Sequence, residues 1–446
     1  MELLTMLSFC AVLLLCVVMK WSVLYALVAG VAIFCLYGRK QGFGWKQLGS
    51  MLLSGAATAK NVVTVIGMMG VVAGLWRACG TIPFIICAAS GFIGPNTVIL
   101  MTFLMNAMVS MLMGSAFGVS ATMGAISITM AMAMGVNPVL AGGAMLSGVF
   151  VGDRASPVSS SALLVSEVTH TDLFDNLKKM MRSSAVPFLL CCVIYGAMGL
   201  SAGQAGQTAD LWDVFGREMR LHWSALIPAA VVLLLSSLRV PTKKTVLASI
   251  GAAALVCVLV QKMSVGRVLE LAVLGFHAAD PEVAGMLDGG GLISMVKSMA
   301  IVGLSSSYSG IFRNTKLLVG MKTGLQRLAE KVTPFGSMIV TSLVTGGIAC
   351  NQTLCVLMTH QLCEDMEPDG KELAMALENS AILLCGLIPW SIAGGVPLAS
   401  AGAPITGMLA AFYLYLVPLY TFVRKLAARR AAAGGAEARR PAPAQR

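Results

Sequence analysis

The stretch VGDRASPVSSSALLVSEVTHTDL, residues 151–173, decides the fold of this chain. It follows an apolar run over 138–151 and introduces Asp153, Arg154, Pro157 and serines at 156, 159, 160, 161 and 166. Pro157 lacks an N–H donor and pushes the residue before it out of the helical region, which frees backbone carbonyls beside the hydroxyls. The chain around this stretch is 57% hydrophobic and only 11% charged, with a mean hydropathy of +0.84. A soluble domain carries about 25% charged residues, so the composition is that of an integral membrane protein. Roughly ten to twelve helical crossings fit, at about 20 residues each. The long Leu, Ile, Met, Ala and Gly runs exclude the alternating strands of an outer-membrane barrel. A broken helix within a bilayer has to bury its freed backbone groups in protein or along a watery cavity. Residues 153–161 therefore read as an unwound segment inside the membrane.

Other apolar runs are interrupted around 114–122, 350–353 and 389–396. Interruptions at matching places in two halves point to a transporter's binding site, and the halves match. MGVVAGLWRACGTI (69–82) lies over MAIVGLSSSYSGIF (299–312), with Gly80 on Gly310 at an offset of 230. FGVSATMGAI (117–126) lies over IACNQTLCVL (348–357), with Thr122 on Thr353 at an offset of 231. SPVSSSA (156–162) lies over IPWSIAG (388–394), with Pro157 on Pro389 at an offset of 232. YGRK (37–40) faces VGRV (265–268) at an offset of 228. Four matches in order imply an internal duplication.

The loop charges reverse sign between the halves, which an inverted repeat predicts. Arg39, Lys40 and Lys46 follow the second run, whereas its counterpart carries Asp280, Glu282 and Asp288. The expected layout places 38–60, 239–244, 310–332 and both termini in the cytoplasm, with 203–220 and 263–290 outside. The parts are an N-terminal repeat (1–202), an external connecting loop (203–222), a C-terminal repeat (223–424) and a basic, disordered tail (425–446). Within the first repeat, residues 171–182 read as an amphipathic helix on the inner surface, with Thr171 as N-cap. The net charge of +11 belongs to these cytoplasmic segments and implies no nucleic acid. The twelve cysteines lie mostly in apolar runs without metal spacing and read as small buried hydrophobes. Residues 1–19 read as a first span rather than a signal peptide, because Glu2 stands in place of a basic start.

Carrying a cation through a bilayer requires oxygen ligands that replace its water. The interruptions supply Ser120 and Thr122; Asp153, Ser156, Ser159, Ser160 and Ser161; Asn351, Gln352 and Thr353; and Glu378, Asn379 and Ser380 with Ser391 beyond Pro389. Asp153 and Glu378 stand out, since a charge in the hydrocarbon region costs at least about 2.5 kcal/mol and marks function. A buried carboxyl can hold a proton or a cation, which is the minimal device of an antiporter. Arg154 either neutralises Asp153 or serves an anionic substrate. Asn106 is expected to bond across helices, and Arg77 to end a span or form an ion pair. No Walker, dinucleotide or zinc pattern occurs, so no enzyme, ATP-driven pump or cofactor is expected.

GDRASPVSSSALLVSEVTHTDLFDNLKKM resembles the signature of the NhaC-type Na+/H+ antiporters, and CNQTLCVLMTHQL (350–362) and ENSAILLCGLIPWSIAG (378–394) fit it further. The resemblance implies a secondary transporter in the cell's inner membrane that exchanges Na+ for H+. It also implies inverted repeats with re-entrant hairpins, and homodimers. By that analogy Ser120–Thr122 and Asn351–Thr353 are hairpin tips, 153–161 and 389–394 are unwound helices, and Asp153 is the Na+ ligand. The family often has Asp where this chain has Ser160, which leaves Asp153 as the sole acid of the first broken helix. Relatives of this type also exchange organic acids. The alternative is therefore a Na+- or H+-coupled transporter of small carboxylates or amino acids, with Arg154 gripping the anion.

Overall fold

Proline and capping residues cut this chain into many helices, several of them too short to cross a bilayer. The computed structural model describes residues 2–19, 21–202, 211–238, 240–315, 333–367 and 369–438. The first half holds α1 (Glu2–Val18), α2 (Val23–Lys40), α3 (Trp45–Thr58), α4 (Lys60–Ala78), α5 (Thr81–Ser90) and α6 (Val98–Met113). It continues with α7 (Ala116–Val119), a π-helical segment Ser120–Gly124, α8 (Ala125–Ala133), α9 (Pro138–Ala155), α10 (Ser160–Val168) and α11 (Leu173–Ala202). The second holds α12 (Leu211–Glu218), α13 (Ile227–Ser237), α14 (Thr242–Leu259), α15 (Val265–Leu274), α16 (Pro281–Leu287) and α17 (Gly291–Asn314). After residue 332 come α18 (Pro334–Ala349), α19 (Gln352–Cys363), α20 (Gly370–Asn379), α21 (Ala381–Leu384), α22 (Ile392–Ala401) and α23 (Phe412–Ala438). Among the described residues the one pairing of extended backbone is an isolated antiparallel bridge, Phe276 with Gly289.

The chain is an all-α polytopic membrane protein. Among the described residues Val23–Lys40, Ala116–Ala133, Leu173–Leu200 and Ile405–Arg429 are each long and apolar enough to span, and three bent helix pairs raise the number to seven. The ten to twelve expected also took in shorter apolar runs and segments outside the described residues. The difference lies in runs such as α6, whose 16 residues reach roughly 24 Å at 1.5 Å per residue, short of a hydrocarbon core of about 30 Å. Large apolar side chains such as Leu53, Phe92, Leu189 and Leu234 stand exposed on the outside, as a lipid-facing surface requires.

Three local expectations change. Residues 171–182 are not a separate surface helix: from Leu173 they are the first turns of the 30-residue α11. Asp172, not Thr171, accepts the N–H of Asp175 at its start. The connecting loop contains α12, and α23 runs without a break past residue 425 to Ala438. Of the expected inner and outer segments, 203–210, Arg239, 316–332 and 439–446 lie outside the described residues.

What matters most for the site is the packing of α6 on α9. A Cβ on Gly148 would stand 2.4 Å from the Phe103 carbonyl oxygen, and one on Gly152 only 2.0 Å from the Ser110 carbonyl carbon. The two glycines, four residues apart, let the backbones touch, as small residues do in membrane helix pairs. Ser110 donates to the Val149 carbonyl and Ser156 to the Met111 carbonyl, 2.8 Å in the latter case, so hydroxyls fix the register. Asn106 on α6 bonds across to Ser127 on α8 at 2.9 Å, as its position implied.

Candidate functional site

The two prolines act as the sequence predicts. Ser156 (φ −88°, ψ 140°) and Ile388 (φ −89°, ψ 118°), each preceding a proline, are extended and stop the helices before them. Three residues on, each break closes in the same way. Ser159 N–H donates to the Ser156 carbonyl at 3.1 Å, and Ser391 N–H to the Ile388 carbonyl at 2.9 Å. Ser159 then caps α10 by accepting from Ser161 N–H, and Ser391 caps α22 by accepting from Ala393 N–H. Both serines are buried, so these caps satisfy donors that water cannot reach.

The hairpins facing these breaks also share one geometry. α6 ends at Gly114 (φ 59°) and α18 at Cys350 (φ 56°), both left-handed. Ser115 and Asn351 follow as N-caps of the returning helices. The true tips are therefore 114–115 and 350–351, at an offset of 236 rather than 231. Ser120 and Thr122 are not at a tip. They lie one turn inside, in the π-helical segment, where Ser120 bonds Ser400 of α22 at 2.9 Å and Thr122 donates to the Gly118 carbonyl at 2.7 Å. The left-handed Gly114 predicts this turn from sequence better than the hydroxyls do.

Where the breaks and tips converge lies a cavity of about 650 Å3. Its walls include Ser115, Ala116, Asp153, Ser160, Ser161, Asn351, Gln352, Thr353, Ile392 and Ala393, with Phe117, Leu164, Leu354 and Ile382 as apolar lining. Exposed Glu167 and Gln361 also border it, which opens it at their end of the molecule. Asp153 is 4% exposed and fully bonded. Its Oδ1 accepts from Ala116 N–H at 3.3 Å, and its Oδ2 from the Gln352 amide at 3.0 Å and the Ser161 hydroxyl at 3.3 Å. The single Ser161 proton is shared between that carboxylate and Gln352 Oε1, 2.9 Å away. A carboxylate from the first half is thus held by an amide from the second. Gln352 and Ser161 were visible in the sequence only as members of polar interruptions, and nothing local to either announces a bond across 199 residues.

The comparisons follow from this arrangement. Residues 148–423 match the model of the Na+/H+ antiporter family, a span that contains both breaks, the second hairpin tip and Asp153. The chain belongs to the Na+/H+ antiporter family. It is 25% identical over 414 residues to the Na+/H+ antiporter NhaC of Alkalihalophilus pseudofirmus, covering 89% of this chain and 88% of that one. It is equally 25% identical over 399 residues to the malate-2H+/Na+-lactate antiporter of Bacillus subtilis, 84% of each chain. The arginine/ornithine antiporter ArcD of Halobacterium salinarum is 25% identical over 406 residues, 87% of this chain and 82% of that one. The protein is accordingly a secondary active transporter, and Na+ and H+ are the ions its family exchanges.

In this antiporter the remaining candidate residues divide into two groups. Ser160 and Thr353 are exposed to the cavity, and Asn351 lines it while accepting from Leu354 N–H at 2.9 Å. Arg154, Glu378 and Asn379 do not line it. Arg154 is 0% exposed and points the other way from Asp153, donating to Tyr413 Oη at 3.0 Å, Ser183 Oγ at 3.3 Å and Asn379 Oδ1. It therefore neither pairs directly with Asp153 nor offers a contact to an anion in the cavity. Pro157 is exposed at the break, and Ser156 is spent on holding α6. The twelve cysteines are thiols, and all but Cys10 and Cys192 are buried. No cluster of three or more His, Cys, Asp or Glu capable of holding a metal occurs among the described residues.

Proposed function

We propose that this protein exchanges Na+ for H+ through a Na+ site at Asp153, in a cavity that faces the cytoplasm. The observation that carries the reading is Asp153 itself: a buried carboxylate at the cavity wall, flanked by the oxygens of Ser161 and Gln352 and by exposed Ser160 and Thr353. Hard cations prefer such oxygens, and the charge of an arriving cation favours loss of a proton from a nearby buried carboxyl. Ser115, Ser159, Asn351 and Ser391 cap the surrounding helices and keep the backbone donors of the breaks satisfied, which leaves side-chain oxygens free. The site straddles both halves, as alternating access between inverted repeats requires. Sidedness rests on charge: the mouth near Glu167 adjoins the segment where Lys371 pairs with Asp175, and Lys425 with Glu367 and Glu372, ahead of a basic tail. Both termini then lie in the cytoplasm.

Everted vesicles holding a proton gradient test the exchange, with Na+, K+ and Li+ added in turn. Wild type should collapse the gradient on Na+ addition, and Asp153→Asn should not. Undiminished exchange by Asp153→Asn would remove Asp153 from the mechanism.

A second reading has its own observation. The volume of about 650 Å3 falls in the range of roughly 300–1,000 Å3 typical of small-molecule pockets, far more than a bare ion occupies, and part of its wall is apolar. A small carboxylate or amino acid could travel with the cation. Adding organic acids to the same vesicle assay separates the readings: cargo transport would make the gradient response to Na+ depend on the acid.

A further inference from the structure

Glu378 and Arg154 form a second charged station that the cation site does not use. Glu378 is the next-to-last residue of α20, two before the chain leaves helical geometry at Ser380 (φ −126°, ψ −77°). It is 0% exposed, and both its carboxyl oxygens lack a hydrogen-bond partner. Arg154, equally sealed, and Asp153 both lie within electrostatic reach of it; Arg154 bonds the neighbouring Asn379, yet its Nε is unpartnered. The other acceptors it holds, Tyr413 Oη and Ser183 Oγ, are neutral. An ionised carboxylate buried without donor or cation is strongly unfavourable, and so is a buried guanidinium without a counter-charge. Two such groups within electrostatic reach, with no ion pair between them, describe one half of a switch. In this conformation the carboxyl suits the neutral acid. A small movement at the Ser380 break would bring it onto Arg154 as the anion.

We propose that Glu378 carries the exchanged proton on a station separate from the cation site at Asp153, and that Arg154 receives its carboxylate when the proton leaves. The step is a simple deprotonation: the O–H bond of Glu378 breaks, the electron pair stays on the carboxylate, and the proton passes to water admitted by the same movement at the Ser380 break. Arg154 then balances the charge. Asp153 and Arg154 are adjacent in α9, so a cation arriving at Asp153 adds positive charge beside Arg154 and favours the ionised Glu378. That links the two ions without their sharing a ligand. The inference rests on the antiport reading and adds to it.

Two assays on reconstituted full-length protein test it: exchange of radiolabelled Na+ for unlabelled Na+, and proton movement driven by Na+. Glu378→Gln, which keeps the shape of the neutral acid, should retain Na+/Na+ exchange and lose Na+-driven proton movement by at least about tenfold. Asp153→Asn should lose both. Proton movement within about twofold of wild type in Glu378→Gln, or loss of both activities from a monodisperse variant, overturns the proposal. Asp153→Asn with both activities intact overturns the antiport reading at Asp153 instead. Infrared difference spectra of the wild type need no variant: Na+ should bleach a protonated-carboxyl band, and a spectrum without that bleach also overturns the proposal.

Discussion

At the scale of single residues, Asp153 is distinguished by what holds it. Three donors reach its carboxylate, one a backbone N–H of α7, one a hydroxyl of its own broken helix and one the amide of Gln352. A hydrogen bond to a charged group contributes about 1.5–3 kcal/mol. Gln352→Ala should therefore raise the half-saturating Na+ concentration roughly tenfold, about 1.4 kcal/mol, as read from a Na+ titration of the vesicle assay. An unchanged titration would mean that Asp153 is positioned without the second half of the chain. Ser160 faces the cavity directly. Its hydroxyl leaves Asp153 as the cavity's one carboxylate at the breaks.

At the scale of elements, the α6–α9 contact sets the position of Asp153. Gly152 sits against the Ser110 backbone, and the residue after it is Asp153. Gly152→Ala would place a methyl group inside that backbone contact. Overpacking of this kind costs typically 1–3 kcal/mol, so the detergent-solubilised variant should melt several degrees lower. Exchange should fall as well, because α9 moves away from α7 and Gln352. A variant with wild-type melting and transport would show that the helices can separate without disturbing the site. The same element scale explains the shift of the hairpin tip from Ser120–Thr122 to Gly114–Ser115. A tight turn needs a left-handed residue followed by a cap, and hydroxyls one turn later serve another purpose, here the contact of Ser120 with Ser400.

At the scale of the whole molecule, the cavity is open at the end bearing Glu167 and Gln361. Cysteine placed at Ser160 or Thr353 should react with a membrane-impermeant maleimide in everted vesicles and far less in right-side-out cells. The parent chain, whose cysteines are mostly buried, gives the background. Labelling only from outside would reverse the assigned orientation, and equal labelling from both sides would overturn a cavity open to the cytoplasm alone.

Much of this architecture is written in local chemistry. The breaks at 156–159 and 388–391 follow from Pro157, Pro389 and the caps Ser159 and Ser391, interactions spanning four residues or fewer. Composition alone determined a helical membrane protein, because too few charges remain to cover a soluble surface. The sequence could not show that Asp153 meets Gln352 or that Arg154 turns toward Tyr413 and Asn379. Nor could it show that Glu378 stands apart from the cavity with both oxygens unpartnered. Those are decided by which helix faces meet across some two hundred residues of chain. Glycine contacts and buried hydroxyls select that packing, and no local pattern encodes it.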